Sequence, residues 1–381
     1  TFFVYPHYAS TVADLSVPQP GAGSLPCTPH RQQHTTSPRP AVMPAVVNDP
    51  AAWAKLVGAA RSGKEGFFAF YSSVADAITT NVSLMTLPVD DHAIVRGHAV
   101  FDTCSLAEGR MYRLQVHLDR LFASAASARL PLPFGGDEAA NRERITEIVR
   151  ATCVASGRRS CDVRFWLTAG TGNLGVTPAG CTPSLYVLCF GGLPPLPGSE
   201  DADTVGISEA TVPESVVPLK PAALAELKSN NYLLNALCML AAKERGGTYG
   251  IGVDGAGNVL ESCVLNVAIV DGHSVLRTPP FRRVLRGTTV RRAMELASEH
   301  LVPRGELAGV VQGPLTVADL LAAREVFLLA GDTHGYPVVR LDGEQIGDGR
   351  PGPVYAALKR LLLEDAATGN AHHEPLQAGG A

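Results

Sequence analysis

Leu227-Lys228-Ser229-Asn230-Asn231-Tyr232-Leu233-Leu234-Asn235 decides how this chain is read. It sets one lysine and a short polar stretch ahead of a run over 230–245 with helical character. Taken alone, Lys228 reads as a solvated lysine at a helix start. Toward the C-terminus, 249–253 and 259–270 read as strands around the turn Asp254-Gly255-Ala256-Gly257, with a helix over 291–300. A short helix with a threonine cap follows over 316–323, then strands over 326–330 and 337–341 and a last helix over 353–365. Toward the N-terminus, 191–203 has linker composition, preceded by buried strands over 163–169 and 184–189 and a helix over 138–156. Leu114, Leu118, Leu121, Phe122 and Ala125 recur at helical spacing, which leaves His117 and Arg120 off the buried stripe. A helical run over 51–61 and a strand, turn and strand over 67–87 open the folded sequence.

The expectation is α+β: a smaller N-terminal α/β domain over 51–190, a linker over 191–203, and a C-terminal domain over 204–368 with a mixed-sheet, barrel-like core. A flexible tail is expected over 369–381. Residues 1–50 read as a disordered leader or transit-peptide remnant, because 8–50 are rich in Pro, Ser, Thr, Ala and His and poor in acids.

Composition narrows the function. The 381 residues are 46% hydrophobic, enough for a sizeable core, and 32 basic against 36 acidic side chains leave a formal net charge of -4. That balance argues against nucleic acid or an anionic membrane as partner. The longest apolar stretches fall well short of the ~20 residues needed to cross a bilayer. Eight cysteines without a CxxC pair indicate neither a zinc ribbon nor a disulfide scaffold, and the histidines lack metal-ligand spacing.

Two glycine-rich matches are set aside. The run from Gly58 to Gly63-Lys64 resembles a phosphate loop, but Glu65 stands where a hydroxyl should hold magnesium. Gly250, Gly252 and Gly255 match a dinucleotide pattern, but they lead into a hairpin rather than a helix. Asn81-Val82-Ser83 is a glycosylation sequon without a secretory signal, and no GxSxG nucleophile turn occurs.

Ordered blocks remain: Arg96 to Thr103 (RGHAVFDT), Val116 to Leu121 (VHLDRL) with Ser124-Ala125, and the lysine stretch. Glu261-Ser262 with Asn266-Val267, Thr278-Pro279-Pro280, Leu285 to Thr289 (LRGTT) and Pro337-Val338 continue them in sequence. Together they resemble the fold-type IV pyridoxal-phosphate enzymes, over about residues 66–362. That family comprises D-amino acid aminotransferases, branched-chain aminotransferases and 4-amino-4-deoxychorismate lyases. The segments over 90–103 and 131–134 are most similar to its plant-type D-amino acid aminotransferase subgroup.

The resemblance implies pyridoxal 5'-phosphate as cofactor and Lys228 as the amine that joins its aldehyde as an imine and then carries the substrate proton. It implies Glu261 against the pyridine nitrogen, since a buried carboxylate stabilises the charged ring. Arg120 would grip the phosphate with its planar fork, and Thr288 and Thr289 would add donors at a helix start. Leu285 would pack on the ring, Asn266 would support the site, and Gly331 would lie near the phosphate. Asp332 beside that phosphate is unfavourable unless it points away.

The substrate side departs from the family pattern. Bacterial D-amino acid aminotransferases carry an Arg-x-His trap where this chain reads Gly172-Asn173-Leu174-Gly175-Val176, and Ile94 stands in place of a tyrosine. Arg164, Arg96 and Tyr71 are the candidate substrate residues. The leading expectation is transamination between a D-amino acid and a 2-oxo acid. The lyase reaction, a branched-chain aminotransferase and a catalytically silent scaffold stay open. The resemblance also implies a homodimer and a plastid location, with the cytoplasm as second choice.

Overall fold

Period-two alternation builds the N-terminal sheet. The computed structural model describes residues 45–61, 66–192, 199–367 and 372–376. β1 (Phe67–Ser72), β2 (Ala77–Thr79), β3 (Ala99–Ala107), β4 (Arg110–Tyr112), β5 (Cys161–Thr171) and β6 (Thr182–Phe190) join in one antiparallel sheet ordered β4-β3-β5-β6-β1-β2. The helices are α1 (Pro50–Ala60), α2 (His92–Val95), α3 (Leu114–Ser127) and α4 (Glu138–Ala155). Val100 and Cys104 of β3, Val163, Phe165 and Leu167 of β5, and Val187 of β6 point to one face and pack on α3 and α4. Residues in between, among them Phe101, Thr103 and Arg164, point to the face without these helices. The β5–β6 pairing slips between Thr168 and Thr171. There Gly170 has a φ of +91° and a Cβ would lie 1.6 Å from the Thr182 carbonyl oxygen, so only glycine fits.

The anticipated α3 stripe is buried as expected: Leu114, Leu118, Leu121, Phe122 and Ala125 all belong to the core. At ~1.5–3 kcal/mol for each fully buried large side chain, the three leucines and Phe122 hold this helix far more firmly than its intrinsic propensity. His117, read as lying off the stripe, is also buried, because it faces a separate polar cluster. The second strand expected within 67–87 is only the three residues of β2, followed by a 3-10 turn over Val82–Leu84.

In the second half β7 (Ile207–Glu209), β8 (Thr211–Pro213), β9 (Ile251–Val253), β10 (Val259–Ser262), β11 (Asn266–Val270), β12 (Val275–Thr278), β13 (Gly309–Gln312), β14 (Glu325–Ala330), β15 (His334–Leu341) and β16 (Glu344–Gln345) form two sheets. One runs β13-β12-β11-β14-β15-β16 with β7 on β15, and the other β10-β9-β8. Helices α5 (Ala202–Val205), α6 (Ala222–Ala225), α7 (Leu233–Glu244), α8 (Thr288–Leu296), α9 (Val317–Leu321) and α10 (Pro353–Ala367) accompany them. Val267 and Ile269 of β11 and Leu328 of β14 pack toward the three-stranded sheet, while Ala268, Val270, Phe327 and Leu329 pack on α8 and α10. Both faces are covered, so these strands read as continuous apolar runs. The single strand expected over 259–270 is two strands in different sheets, divided at residues 263–265. The cap expected at Thr316 is a full capping box with Asp319.

The segment read as a tail carries a last strand, β17 (His373–Pro375), which returns to the first sheet and pairs with β4. Its ends, 368–371 and 377–381, lie outside the described residues, as do 1–44 of the leader, 62–65 of the dismissed phosphate-loop match and 193–198 of the linker. Among the described residues no helix is long and apolar enough to cross a membrane.

Candidate active site

The lysine stretch is positioned by β3. The first half of β3 pairs with β5 on one side, and its other side receives residues 228–230. The Phe101 amide donates to the Lys228 carbonyl at 2.8 Å, and the Asn230 amide donates to the Ala99 carbonyl at 3.0 Å. Lys228 Nζ lies 4.9 Å from the centre of the Phe101 ring. Burial, and then the nearby Arg120 guanidinium, push the ammonium down to about 8. Lys228 is therefore an amine that loses its proton close to neutrality, not a solvated helix-start lysine.

Glu261 is the next-to-last residue of β10 and belongs to the same electrostatic group. Its Oε2 accepts the Leu285 amide at 3.0 Å and the Asn266 side-chain amide at 3.5 Å, while Asn266 also donates to the Leu285 carbonyl at 2.9 Å. Burial raises the carboxyl to about 7, against the pull of the Leu285 amide, Lys220 and Lys228. Past Leu285 the chain turns at Gly287 into α8, whose first residues Thr288 and Thr289 are buried. First-turn amides of a helix have no partner within it, so they form an anion-binding end.

Arg120 reaches this helix start, with Nη1 3.4 Å from the Arg286 carbonyl. The rest of its fork is occupied: Nε and Nη2 each donate to Asp102 at 2.7 Å. Asp102 also accepts His117 Nδ1 at 2.9 Å, and His117 Nε2 lies 3.0 Å from Asp332. Burial alone would lower the His117 pKa, but the Asp332 and Asp102 carboxylates outweigh it and raise it to about 9. His117 is an imidazolium donating on both sides. Burial works against both carboxylates, yet their cationic neighbours hold Asp102 and Asp332 well below the usual carboxylate range.

Asp332 sits at φ +62° in the turn between β14 and β15 and also accepts the Ser105 amide and hydroxyl. Its carboxylate is taken up by Ser105 and His117, whose positive charge offsets its own. Gly331 is exposed and reaches the group only through this neighbour.

Arg164 projects from β5, its guanidinium 5.1 Å from the Phe101 ring and 5.5 Å from the Phe190 ring, with Nε donating to Thr103 at 2.9 Å. It thus shares the Phe101 ring with Lys228. The other two substrate candidates lie elsewhere. Tyr71 is buried in the core facing α3 and α4, with its hydroxyl on Asp76 at 2.9 Å, because the pleat turns it to the helix-covered face. Arg96 is exposed and spends its donors on the carbonyls of Val95, Leu174 and Gly175.

Two members escaped the sequence reading. Tyr232 packs its ring on Phe101 at 5.4 Å, and burial, then Glu261, push its phenol upward. Asp102 anchors Arg120 and His117 together. Both lie inside the quoted blocks, and their acid and phenol groups beside catalytic-type neighbours were the available signal.

The pattern of amino-transferase class IV matches residues 99–341. A chloroplastic D-amino-acid transaminase of Arabidopsis thaliana is 40% identical over 81% of this chain and 79% of its own length. A putative branched-chain-amino-acid aminotransferase of Methanocaldococcus jannaschii is 30% identical over 72% of this chain and 90% of its own. In architecture the chain is similar to the Escherichia coli branched-chain amino acid aminotransferase (TM-score 0.68, 22% identity, 82% of this chain and 99% of that one). The chain belongs to the class IV aminotransferases. As such it is a pyridoxal-phosphate-dependent enzyme, and its own donor set fits that group: a depressed lysine, a half-buried carboxylate whose pKa is raised, and an arginine facing a helix N-terminus.

Proposed function

We propose that the chain moves an amino group between a D-amino acid and a 2-oxo acid. The observation that carries the chemistry is Lys228, an amine whose proton is loosened to about pH 8 beside a guanidinium and a half-buried carboxylate. The D-amino acid is supported by the Arabidopsis relative.

Bound pyridoxal phosphate supplies an aldehyde and a ring that spreads the charge left when the α-proton departs. Lys228 Nζ would hold the aldehyde and would then move the proton at the substrate α-carbon. Glu261 Oε2, fixed by Leu285 and Asn266, would hold positive charge on the ring nitrogen. Arg120 and the amides of Thr288 and Thr289 bind the phosphate, with Asp102 setting the angle of the guanidinium. Leu285 would pack on the ring, and Arg164, beside Phe101, would receive a substrate carboxylate. Arg96 and Tyr71 are left out of the site. Plastid residence is supported by the acid-poor leader and the chloroplastic relative, and a homodimer by the family resemblance.

Purified holoenzyme given D-alanine and 2-oxoglutarate should release pyruvate and glutamate. Release of 4-aminobenzoate from aminodeoxychorismate without transamination would replace this proposal with the lyase. Borohydride treatment should fix the cofactor on the peptide containing Lys228, and Lys228→Ala should abolish both the adduct and the activity.

A further inference from the structure

Glu261 has a second cation beside it that the scheme above does not use. Lys220, half-buried, holds its Nζ 4.6 Å from the centre of the Tyr232 ring. Together with Glu261, Ser262, Asn235 and Arg283 it lines a cleft between the 217–220 segment, β10 and α7. The side chains run in a row: Lys220 on Tyr232, Tyr232 on Phe101, and Phe101 under Lys228. Glu261 is thus influenced by two ammonium groups that favour its ionised form against burial, and the Glu261 carboxylate in turn favours the charged Lys220 against the burial that lowers its pKa. Arg283, the other cation of the cleft, is engaged by Asp254 at 2.5 Å. Burial pushes the Cys238 thiol up to about 11 and raises Cys263 as well, so both stay neutral. Asn235 Oδ1 and Ser262 Oγ, buried without a protein partner, leave two oxygen acceptors in the same cleft.

We propose that Lys220 is a positioning residue that acts through Glu261: its ammonium keeps the shared proton of the carboxylate–pyridine pair on the ring nitrogen. The proposal rests on the pairing of Glu261 with that nitrogen. Moving the proton from the Glu261 carboxyl oxygen to nitrogen creates one carboxylate and one pyridinium. A cation that lines the same cleft as Glu261 stabilises the carboxylate more than it repels the pyridinium wherever it lies nearer the carboxylate, because Coulomb energy falls with distance. Lys228 cannot give a steady hold, since its own nitrogen gains and loses protons during the reaction. Lys220 takes no part in those transfers.

The test is the ¹⁵N resonance of holoenzyme reconstituted with cofactor labelled at the ring nitrogen, in Lys220→Met, Lys220→Arg and Glu261→Gln. Lys220→Met should move the resonance toward neutral pyridine and lower kcat roughly tenfold, the equivalent of about one pKa unit. KM for the amino donor should stay nearly unchanged, and Lys220→Arg should restore both readouts. An unmoved resonance in Glu261→Gln would remove the pairing itself. A shift in Glu261→Gln with none in Lys220→Met would overturn the role of Lys220 alone. If Lys220→Met yields no holoenzyme, Lys220→Gln takes its place, and failure of both would assign Lys220 to folding and overturn the proposal.

Discussion

A lysine attacks an aldehyde only as the free amine. With its pKa at about 8, Lys228 is roughly one-tenth neutral at pH 7 and nine-tenths neutral at pH 9. The rate at which apoenzyme takes up cofactor covalently, followed by absorbance, should therefore climb about tenfold over that range and then level. An unshifted lysine would still be rising at pH 10. His117 gives the opposite trend in stability. Its folded pKa of about 9 lies above its ordinary 6.5, so its contribution is complete below 6.5 and is lost as pH rises through 9. The unfolding free energy of the wild type minus that of His117→Gln should fall between those pH values, at a slope approaching ~1.4 kcal/mol per unit for one proton. A flat difference would mean that His117 is not charged in the folded protein. Lys228 was legible because its flanking blocks are distinctive. The charge of His117 was not, since it depends on Asp332, 215 residues away.

At the scale of elements, the site depends on how α8 begins. A Cβ on Gly287 would lie 1.9 Å from Asn266 Oδ1, although its φ of -59° suits any residue. Gly287→Ala must displace Asn266, which orients both Leu285 and Glu261. Cofactor affinity, measured by titration of the apoenzyme, should weaken at least about tenfold, a cost of ~1.4 kcal/mol, with far-UV circular dichroism unchanged. The helix was visible from its periodicity over 291–300, but its true start at Thr288 follows from the turn at Gly287. Strand 259–270 was misjudged for a related reason. An unbroken apolar run carries no mark of where the chain passes from one sheet to another, and both pieces are buried. Tyr71 misled for the converse reason, because the face of β1 that it occupies is set by partners distant in sequence.

For the whole molecule, the C-terminal strand ties the end of the chain to its first sheet. Arg113 N–H donates to the His372 carbonyl at 2.6 Å, Arg150 meets Glu374 at 2.8 Å, and the His373 ring rests 5.3 Å from that of Tyr112. Removing residues 368–381 should destabilise the protein by about 2 kcal/mol and lower Tm by roughly 3 °C. An unchanged Tm would make β17 an accessory. It would also leave the edge of β4 open to pairing with other chains. Because the covering strand is translated long after the strands it joins, the sheet assembled from residues 67–190 waits with one border bare until residues 373–375 have been made. A tag inserted directly beside β17 would therefore crowd the one border that this strand has to close.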